Sequence, residues 1–287
     1  MRVDEWLKMA ESRLRVDSPW LEAQLLAAHV LRVDRAWLHA HPETEINELA
    51  AETLLERREG GEPLAYILGW REFYGRQFGV DPAVLIPRHE TEILVETALA
   101  VGPRPAHPNG SDSRPDGEEW SVLDMGTGSG ILAVTLKLER PHWTLTGVDV
   151  SPEALATASA NSRFLDAQVR WTHSDGFDSL LGETFDMIVS NPPYIGPDEP
   201  LPPEIHEFEP YVALFAEHKG LAFYEYLAEQ APAHLSDKGL LLMEVGHTQA
   251  ETVRKLFESF GWTHVETRQD LSGVERVVVF SYSYDCT

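Results

Sequence analysis

Hydrophobic residues recur with helical spacing through the first part of the chain. Trp6, Leu7, Ala10 and Leu14 fall on one face of a helix, and a second set with the same period begins at Ile46. One apolar face per helix is sufficient for a small bundle. The pattern therefore predicts a helical domain over residues 1–61.

The helical period is lost between residues 62 and 88. Aromatic and polar residues alternate here around Gly75 and Arg76. A period of two is typical of β-strands, and a glycine at the turn permits a tight hairpin. We expect a β-hairpin connector over residues 62–88.

The remaining residues, 89–287, show short apolar runs that alternate with helical stretches. The runs are 122–125, 145–150, 169–171, 185–190, 240–245 and 277–280. Parallel strands need crossover connections, and these usually carry helices. The pattern therefore predicts an α/β domain in which helices cover both faces of a parallel sheet. Residues 102–119 are rich in proline, glycine, serine and aspartate, and they predict a mobile surface loop.

Composition narrows the class of protein. Hydrophobic residues make up 43% of the chain and charged residues 24%, as in ordinary folded domains. The formal net charge of −24 opposes binding to nucleic-acid phosphates, so we expect no DNA partner.

Cysteine and histidine usage indicates neither disulfides nor a metal site. Cys286 is the single cysteine, and His39 and His41 have no third ligand nearby in the sequence. The first residues lack an apolar leader, and no apolar run approaches the roughly 18 residues of a membrane span. We expect a cytoplasmic protein without a membrane partner.

A glycine-rich turn, Gly126-Thr127-Gly128-Ser129-Gly130, follows the first apolar run of the α/β part. Glycines allow a sharp turn and close approach of a ligand to the backbone, and the helix that follows offers free N–H groups. A dinucleotide-binding fingerprint would have its third glycine at position 131, which is isoleucine here, so the turn fits a nicotinamide dinucleotide poorly. The turn instead resembles motif I of S-adenosylmethionine methyltransferases, which implies that these five residues bind that cofactor.

Residues that follow the next two strands complete the predicted cofactor site. Asp149 ends the second run, where a carboxylate can accept hydrogen bonds from both ribose hydroxyls. Asp175 and Phe177, with Gly176 between them, follow the third run and can face the adenine.

The tetrapeptide Asn191-Pro192-Pro193-Tyr194 ends the fourth run. Two prolines remove two N–H donors and allow the Pro192 carbonyl to point outward. The Asn191 and Pro192 oxygens, beside the ring of Tyr194, can clamp a planar NH₂ group, one acceptor for each N–H. Alignment of that nitrogen with a methyl sulfonium would favour in-line displacement, so Asn191 also belongs to the predicted cofactor site.

Motifs along nearly the whole chain are similar to those of the HemK/PrmC family, the peptide chain release factor glutamine N5-methyltransferases. They are GEPLAYILG (61–69), EFYG (72–75), IPRHETE (86–92), VLDMGTGSG (122–130), VDVSPEAL (148–155), FDMIVSNPPYI (185–195), EPYVAL (209–214) and DLSGVER (270–276). The resemblance implies a Rossmann-like class I methyltransferase sheet. It implies that Gly126 through Gly130 hold the cofactor, that Asp149 is the ribose acid, and that Asn191 through Tyr194 clamp the substrate. It further implies that the N-terminal helices and hairpin help to hold a release factor, which presents its Gly-Gly-Gln loop.

Two positions depart from the family pattern. His89 replaces a common proline, and Gly176 replaces a residue that is often a large aromatic. The second departure leaves open which residue contacts adenine. Two other functions share the same motifs: an adenine N6-methyltransferase acting on nucleic acid, and a cofactor-binding protein that has lost catalysis.

Overall fold

The computed structural model describes residues 1–102 and 119–283. Most of the loop predicted for 102–119, and Cys286, therefore lie outside the described residues. The chain divides into two compact units, one of residues 1–70 and 201–208 and the other of residues 71–200 and 209–287.

The first unit is helical, as the periodicity predicts. Its helices are α1 (Val3–Arg13), α2 (Pro19–Leu31), α3 (Arg35–Ala40), α4 (Glu48–Glu59), α5 (Leu64–Leu68) and α9 (Pro203–Phe208). Trp6, Leu26 and Leu55 are buried in its core. The Arg58 guanidinium is also buried and pairs with Glu22 at 2.6 Å, because a charge is tolerated in such a place only with a partner.

The predicted hairpin is present but shorter than the 62–88 connector. Strands β1 (Trp70–Phe73) and β2 (Arg76–Gly79) pair with each other. Tyr74 and Gly75 both have positive φ, at 49° and 70°, which is the turn conformation that matches the twist of paired strands. Residues 64–68 form helix α5, however, where the sequence indicated no helix. Pro63 precedes its first turn, and Gly69, with φ of 77°, ends it.

The second unit is the predicted α/β fold. Its strands in the main sheet are β3 (Ser121–Met125), β4 (Thr144–Asp149), β5 (Val169–His173), β6 (Phe185–Ser190), β7 (Leu235–Glu244), β8 (Thr263–Gln269) and β9 (Glu275–Ser281). Its helices are α6 (Thr91–Val101), α7 (Ile131–Glu139), α8 (Pro152–Phe164), α10 (Tyr211–Leu214), α11 (Glu217–Gly220), α12 (Ala222–Gln230) and α13 (Ala250–Ser259), with a 3₁₀ turn at Ala231–His234.

The strand order among the described residues is β5-β4-β3-β6-β7-β9-β8. Strands β3 to β7 are parallel, but β9 is antiparallel to both of its neighbours. The predicted parallel sheet is therefore present, with one antiparallel strand near this edge. Strands β8 and β9 are joined by a short turn at Asp270, and so short a connection can join only antiparallel strands.

Helices cover both faces of the sheet, as predicted. Val277 and Val279 of β9 share a core cluster with Leu94 of α6, whereas Val278 and Phe280 pack with Phe257 of α13. Successive strand residues point to opposite faces, so the two clusters lie on opposite sides of the sheet. Within the described part of the chain, no helix has the length and apolar character required to cross a membrane.

Candidate active site

A cavity of about 440 Å³ lies at the carboxyl ends of β3, β4 and β6. This volume is in the range of small-molecule sites. Ten of the predicted site residues line it: Gly126, Thr127, Gly128, Ser129, Asp149, Asp175, Gly176, Asn191, Pro192 and Pro193. Gly130, Phe177 and Tyr194 are not among the lining residues.

The glycine turn leaves its backbone open to the cavity. Gly126 and Gly128 have φ of 73° and 54°, and a Cβ built on either meets no atom within 4 Å. Positive φ is costly for other residues, and the space beside these two glycines is available to a ligand.

Gly130 serves the packing of the protein. It begins α7 with φ of 81°, and a Cβ there would lie 3.0 Å from both Ala158 and the ring of Trp171. Its place in the predicted cofactor segment is therefore explained by close contact with a neighbouring helix and strand.

Asp124 stabilises the glycine turn through hydrogen bonds in the protein interior. Its carboxylate is fully buried and accepts hydrogen bonds from Thr127 Oγ1 at 2.5 Å and the Ala133 amide at 3.1 Å. The other oxygen, Oδ1, has no partner among the described residues. Burial raises the pKa of Asp124 to about 7, because desolvation disfavours the charged form more than these hydrogen bonds favour it.

Asp149 is held in a fixed orientation at the cavity wall. One oxygen accepts from the Gly128 amide at 2.8 Å and the other from the Ser151 amide at 2.9 Å. A carboxylate has about four acceptor sites, so two backbone bonds leave capacity for a ligand. Asp149 therefore links the glycine turn to the start of α8, where the Ser151 hydroxyl accepts from the Ala154 amide.

The structure separates the three residues predicted to face adenine. Asp175 and Gly176 line the cavity, but Phe177 is buried with its ring stacked on His234 at 4.4 Å. Tyr226 of α12 lines the cavity next to Gly176, and its hydroxyl accepts a hydrogen bond from the Phe177 amide at 2.8 Å. No local sequence pattern points to Tyr226, because its position depends on how α12 packs against the sheet.

The predicted clamp is only partly assembled on the cavity wall. Asn191, Pro192 and Pro193 line the cavity, and no donor within the described ranges reaches the Pro192 carbonyl. Tyr194 packs against the core instead, and its backbone carbonyl accepts from Gln249 Nε2 at 2.8 Å. Burial and the nearby Glu244 carboxylate raise the pKa of Tyr194 well above its usual range. The role of its ring as a substrate-facing surface stays a prediction.

Polar residues for which the sequence predicted no role lie beside or behind Asn191. Asn191 Nδ2 donates to Thr91 Oγ1, and Thr91 Oγ1 donates to Glu244 Oε2. Arg88 lines the cavity and pairs with the buried carboxylate of Glu209 at 2.6 Å. Arg88 and Thr91 both belong to the IPRHETE motif (86–92) quoted above, but the partner of each is distant in sequence. No group of metal-ligating side chains is found in the residues that the structure describes.

We predict that Gly176→Ala destabilises the protein more than Gly182→Ala. Both glycines have positive φ, which costs about 1–2 kcal/mol for alanine. Only the Gly176 Cβ would meet a neighbour, at 1.9 Å from the Tyr226 hydroxyl, whereas Gly182 has open space. The overlap should add about 1–3 kcal/mol to the loss in unfolding free energy, measured by urea denaturation. Equal losses in the two variants would contradict this placement of Tyr226.

We also predict that Asp124→Asn reduces the pH dependence of stability. The folded-state pKa is raised from 3.8 to about 7, so between these values the folded state binds more protons than the unfolded state. The unfolding free energy of the parent should therefore fall as pH rises through this window. Denaturation at several pH values should show a flatter dependence in the variant, and parallel curves would exclude Asp124 as the source.

Comparison with known proteins identifies the family. The PrmC N-terminal domain family matches residues 5–69, and the methyltransferase small domain family matches residues 113–200. A methyltransferase from Pyrococcus furiosus shares the fold, with a TM-score of 0.52 and 17% identity over 72% of this chain and 89% of that chain.

Two relatives extend this similarity over nearly the whole chain. The release factor glutamine methyltransferase of Koribacter versatilis (strain Ellin345) is 43% identical over 268 residues, 91% of each chain. That of Bordetella pertussis (strain Tohama I) is 44% identical over 264 residues, 90% of this chain and 93% of its own. The family expected from the motifs is confirmed: this chain belongs to the release factor glutamine methyltransferases.

Proposed function

We propose that this protein transfers a methyl group from S-adenosylmethionine to the side-chain amide nitrogen (N5) of the glutamine in the Gly-Gly-Gln motif of peptide chain release factors. The observation that carries the proposal is that Gly126, Asp149 and Asn191 line one cavity. The two relatives described above are named release factor glutamine methyltransferases.

The residues present fit S-adenosylmethionine. The open backbone at Gly126 and Gly128 offers space for its methionine end, and Asp149 retains acceptor capacity for ribose hydroxyls. Tyr226 and Phe223 line the same cavity and supply aromatic surface. They can contact the adenine although position 176 is a glycine. When bound, this cofactor supplies an activated methyl group on a sulfonium.

The protein's part in the reaction is to orient the amide. The lone pair of an amide nitrogen is delocalised into its carbonyl, so the nitrogen is a poor nucleophile. The Asn191 side-chain oxygen and the Pro192 carbonyl would each accept one N–H of the glutamine, which holds the nitrogen in line with the methyl carbon. Such fixed acceptors lower the barrier if they fit the transition state better than the free substrate.

The proposed partner fits the charge of the chain. A protein with net charge −24 attracts a partner with a basic surface, and release factors bind ribosomal RNA. The N-terminal helices and the hairpin are proposed to hold the release factor while its Gly-Gly-Gln loop enters the cavity. This partner would place the reaction in the cytoplasm, where translation terminates.

Transfer of labelled methyl groups tests this function directly. The full chain is incubated with labelled S-adenosylmethionine and either a release factor, the same factor with the motif glutamine replaced by alanine, or duplex DNA. Label should appear only in the unaltered release factor. Labelled DNA, or equal labelling of the two release factors, would contradict the proposal.

We expect Asn191→Ala to lower the single-turnover rate about 10²–10³-fold while cofactor affinity stays close to that of the parent, because the loss falls on one contact to the reacting group. Asn191→Asp should also be slow. It retains an acceptor oxygen, but its negative charge stabilises the sulfonium ground state more than the charge-dispersed transition state. Transfer at the parent rate by Asn191→Ala would show that the clamp mechanism is wrong.

Asp149→Ala should weaken S-adenosylmethionine binding by about 1–3 kcal/mol, since the ribose hydroxyls lose an acceptor. Calorimetry measures the change. Asp178→Ala is the matched control, because Asp178 is an exposed carboxylate of the same unit that does not line the cavity. Equal affinity in the two variants would remove Asp149 from the site.

A further inference from the structure

A chain of two hydrogen bonds runs from the cavity wall into the protein interior. Asn191 Nδ2 lies 3.1 Å from Thr91 Oγ1, and Thr91 Oγ1 lies 2.7 Å from Glu244 Oε2. Thr91 is fully buried and Glu244 is 2% exposed. Asn191 and Thr91 both border the cavity, whereas Glu244 does not. The three residues come from α6, the end of β6 and the end of β7, so the fold alone brings them together.

When Glu244 is ionised, only one assignment of donors and acceptors satisfies both hydrogen bonds. A hydroxyl has a single hydrogen, and an ionised carboxylate can only accept. The hydrogen of Thr91 is therefore directed to Glu244, and the Thr91 oxygen can only accept from Asn191. Asn191 must then turn its NH₂ toward Thr91, which fixes an amide orientation that distance alone does not define.

We propose that Thr91 and Glu244 are positioning residues that hold the Asn191 amide with its oxygen facing the cavity. This inference rests on the proposed function, in which that oxygen accepts a hydrogen from the substrate amide. If the amide were turned over, its NH₂ group would meet the substrate NH₂ group, donor against donor. The two hydrogen bonds that join Asn191, Thr91 and Glu244, called the relay below, therefore determine whether the clamp attracts or repels the substrate amide.

Charged and titratable groups surround Glu244 on several elements. Glu90 precedes α6, Arg88 precedes Glu90, and Arg276 of β9 lies 3.9 Å from Glu90. Tyr194 and Tyr224 also lie close enough to Glu244 to interact with its charge, and the Tyr224 hydroxyl donates to the Glu244 backbone carbonyl at 2.9 Å.

Protonation of Glu244 would release the constraint. The pKa of Glu244 is raised to about 7: burial raises it most and Glu90 also raises it, whereas the Thr91 bond, Arg276 and Arg88 lower it. A protonated carboxyl can donate to Thr91, which frees the threonine hydrogen to donate toward Asn191 and favours the turned amide. The relay therefore requires the ionised form, and the transfer rate should fall as pH decreases through the neutral range.

Threonine variants test the relay by single-turnover transfer to a release factor at saturating cofactor. Thr91→Val keeps the shape but removes the hydroxyl and should slow transfer about tenfold or more, whereas Thr91→Ser should restore the rate to within about threefold of the parent because it restores the hydroxyl. Thr97→Val is the control: Thr97 is also buried on α6, but its hydroxyl donates to the Ile93 carbonyl of the same helix. It should transfer at the parent rate.

The pH profile gives a second test that does not need Thr91→Val to fold. A glutamine at position 244 can either accept from or donate to Thr91 at any pH. Glu244→Gln should therefore be slower than the parent above neutral pH and should lose the decline on the acidic side. Saturating cofactor separates this decline from any titration of Asp124 beneath the glycine turn.

The outcomes distinguish the relay from the proposed function. Parent-like transfer by Thr91→Val, with a slow Asn191→Ala, would overturn the relay and leave the function intact. Equal losses in Thr91→Val and Thr91→Ser, a similar loss in Thr97→Val, or an acidic decline retained in Glu244→Gln would overturn the relay as well. Parent-like transfer by Asn191→Ala would remove both the clamp and the relay.

Discussion

The reversal of strand order between β3 and β6 is the constraint on which the site depends. The chain leaves β3 toward β4 and β5, and then returns to pair β6 with the other side of β3. Met125 is aligned with Val148 on one side and with Ser190 on the other. The next residue of each strand is Gly126, Asp149 or Asn191, so parallel pairing alone brings three distant segments to one level. Crossover helices diverge at such a reversal, which leaves a crevice at the carboxyl ends of the strands.

Buried carboxylates support this crevice at a cost in stability. Asp124 lies under the glycine turn, Glu244 lies behind Asn191, and Glu209 holds Arg88. Desolvation opposes ionisation of a buried acid, and hydrogen bonds or a nearby cation offset only part of that cost. Asp124 and Glu244 both have raised pKa values. Apolar residues could fill the same volumes, but they could not fix the direction of a hydroxyl or an amide. The buried acids thus fix the orientation of polar groups in the site, and they lower the folding stability near neutral pH.

Sequence patterns predicted those parts of the fold that depend on local information. The apolar runs of β3 to β7 alternate with helical stretches, so the order of these strands along the chain was clear. Strand β8 was missed because its residues are largely exposed at the sheet edge, where burial imposes no continuous apolar run. Helix α5 was missed because five residues are too few to show a helical period. The motif residues at strand ends were found because the glycine turn, Asp149 and the Asn191 tetrapeptide follow successive apolar runs in the order of a known motif set.

Contacts across the fold explain what sequence patterns could not provide. The ring of Phe177 stacks on His234, so an aromatic residue that was predicted to face the adenine is part of the core. Conversely, Tyr226 reaches the cavity from α12, and Glu244 reaches Asn191 through Thr91, although nothing in the local sequence of either residue points to the site. Such roles depend on the packing of whole elements, which is decided by many residues together.

The glycines of the site lack a side chain for two different physical reasons. Gly126 and Gly128 border empty space, so their lack of a side chain benefits a ligand. Gly130 and Gly176 border the rings of Trp171 and Tyr226 respectively, so there the lack of a side chain benefits another residue. At Gly176 the two possibilities exclude each other: a side chain at this position would displace the Tyr226 hydroxyl. Aromatic surface at this end of the cavity can therefore come from the loop after β5 or from α12, but not from both. In this protein the surface comes from Tyr226, which is 50 positions further along the chain than Gly176. The absence of an aromatic residue at position 176 thus changes which element forms the wall, and it does not imply that the wall is missing.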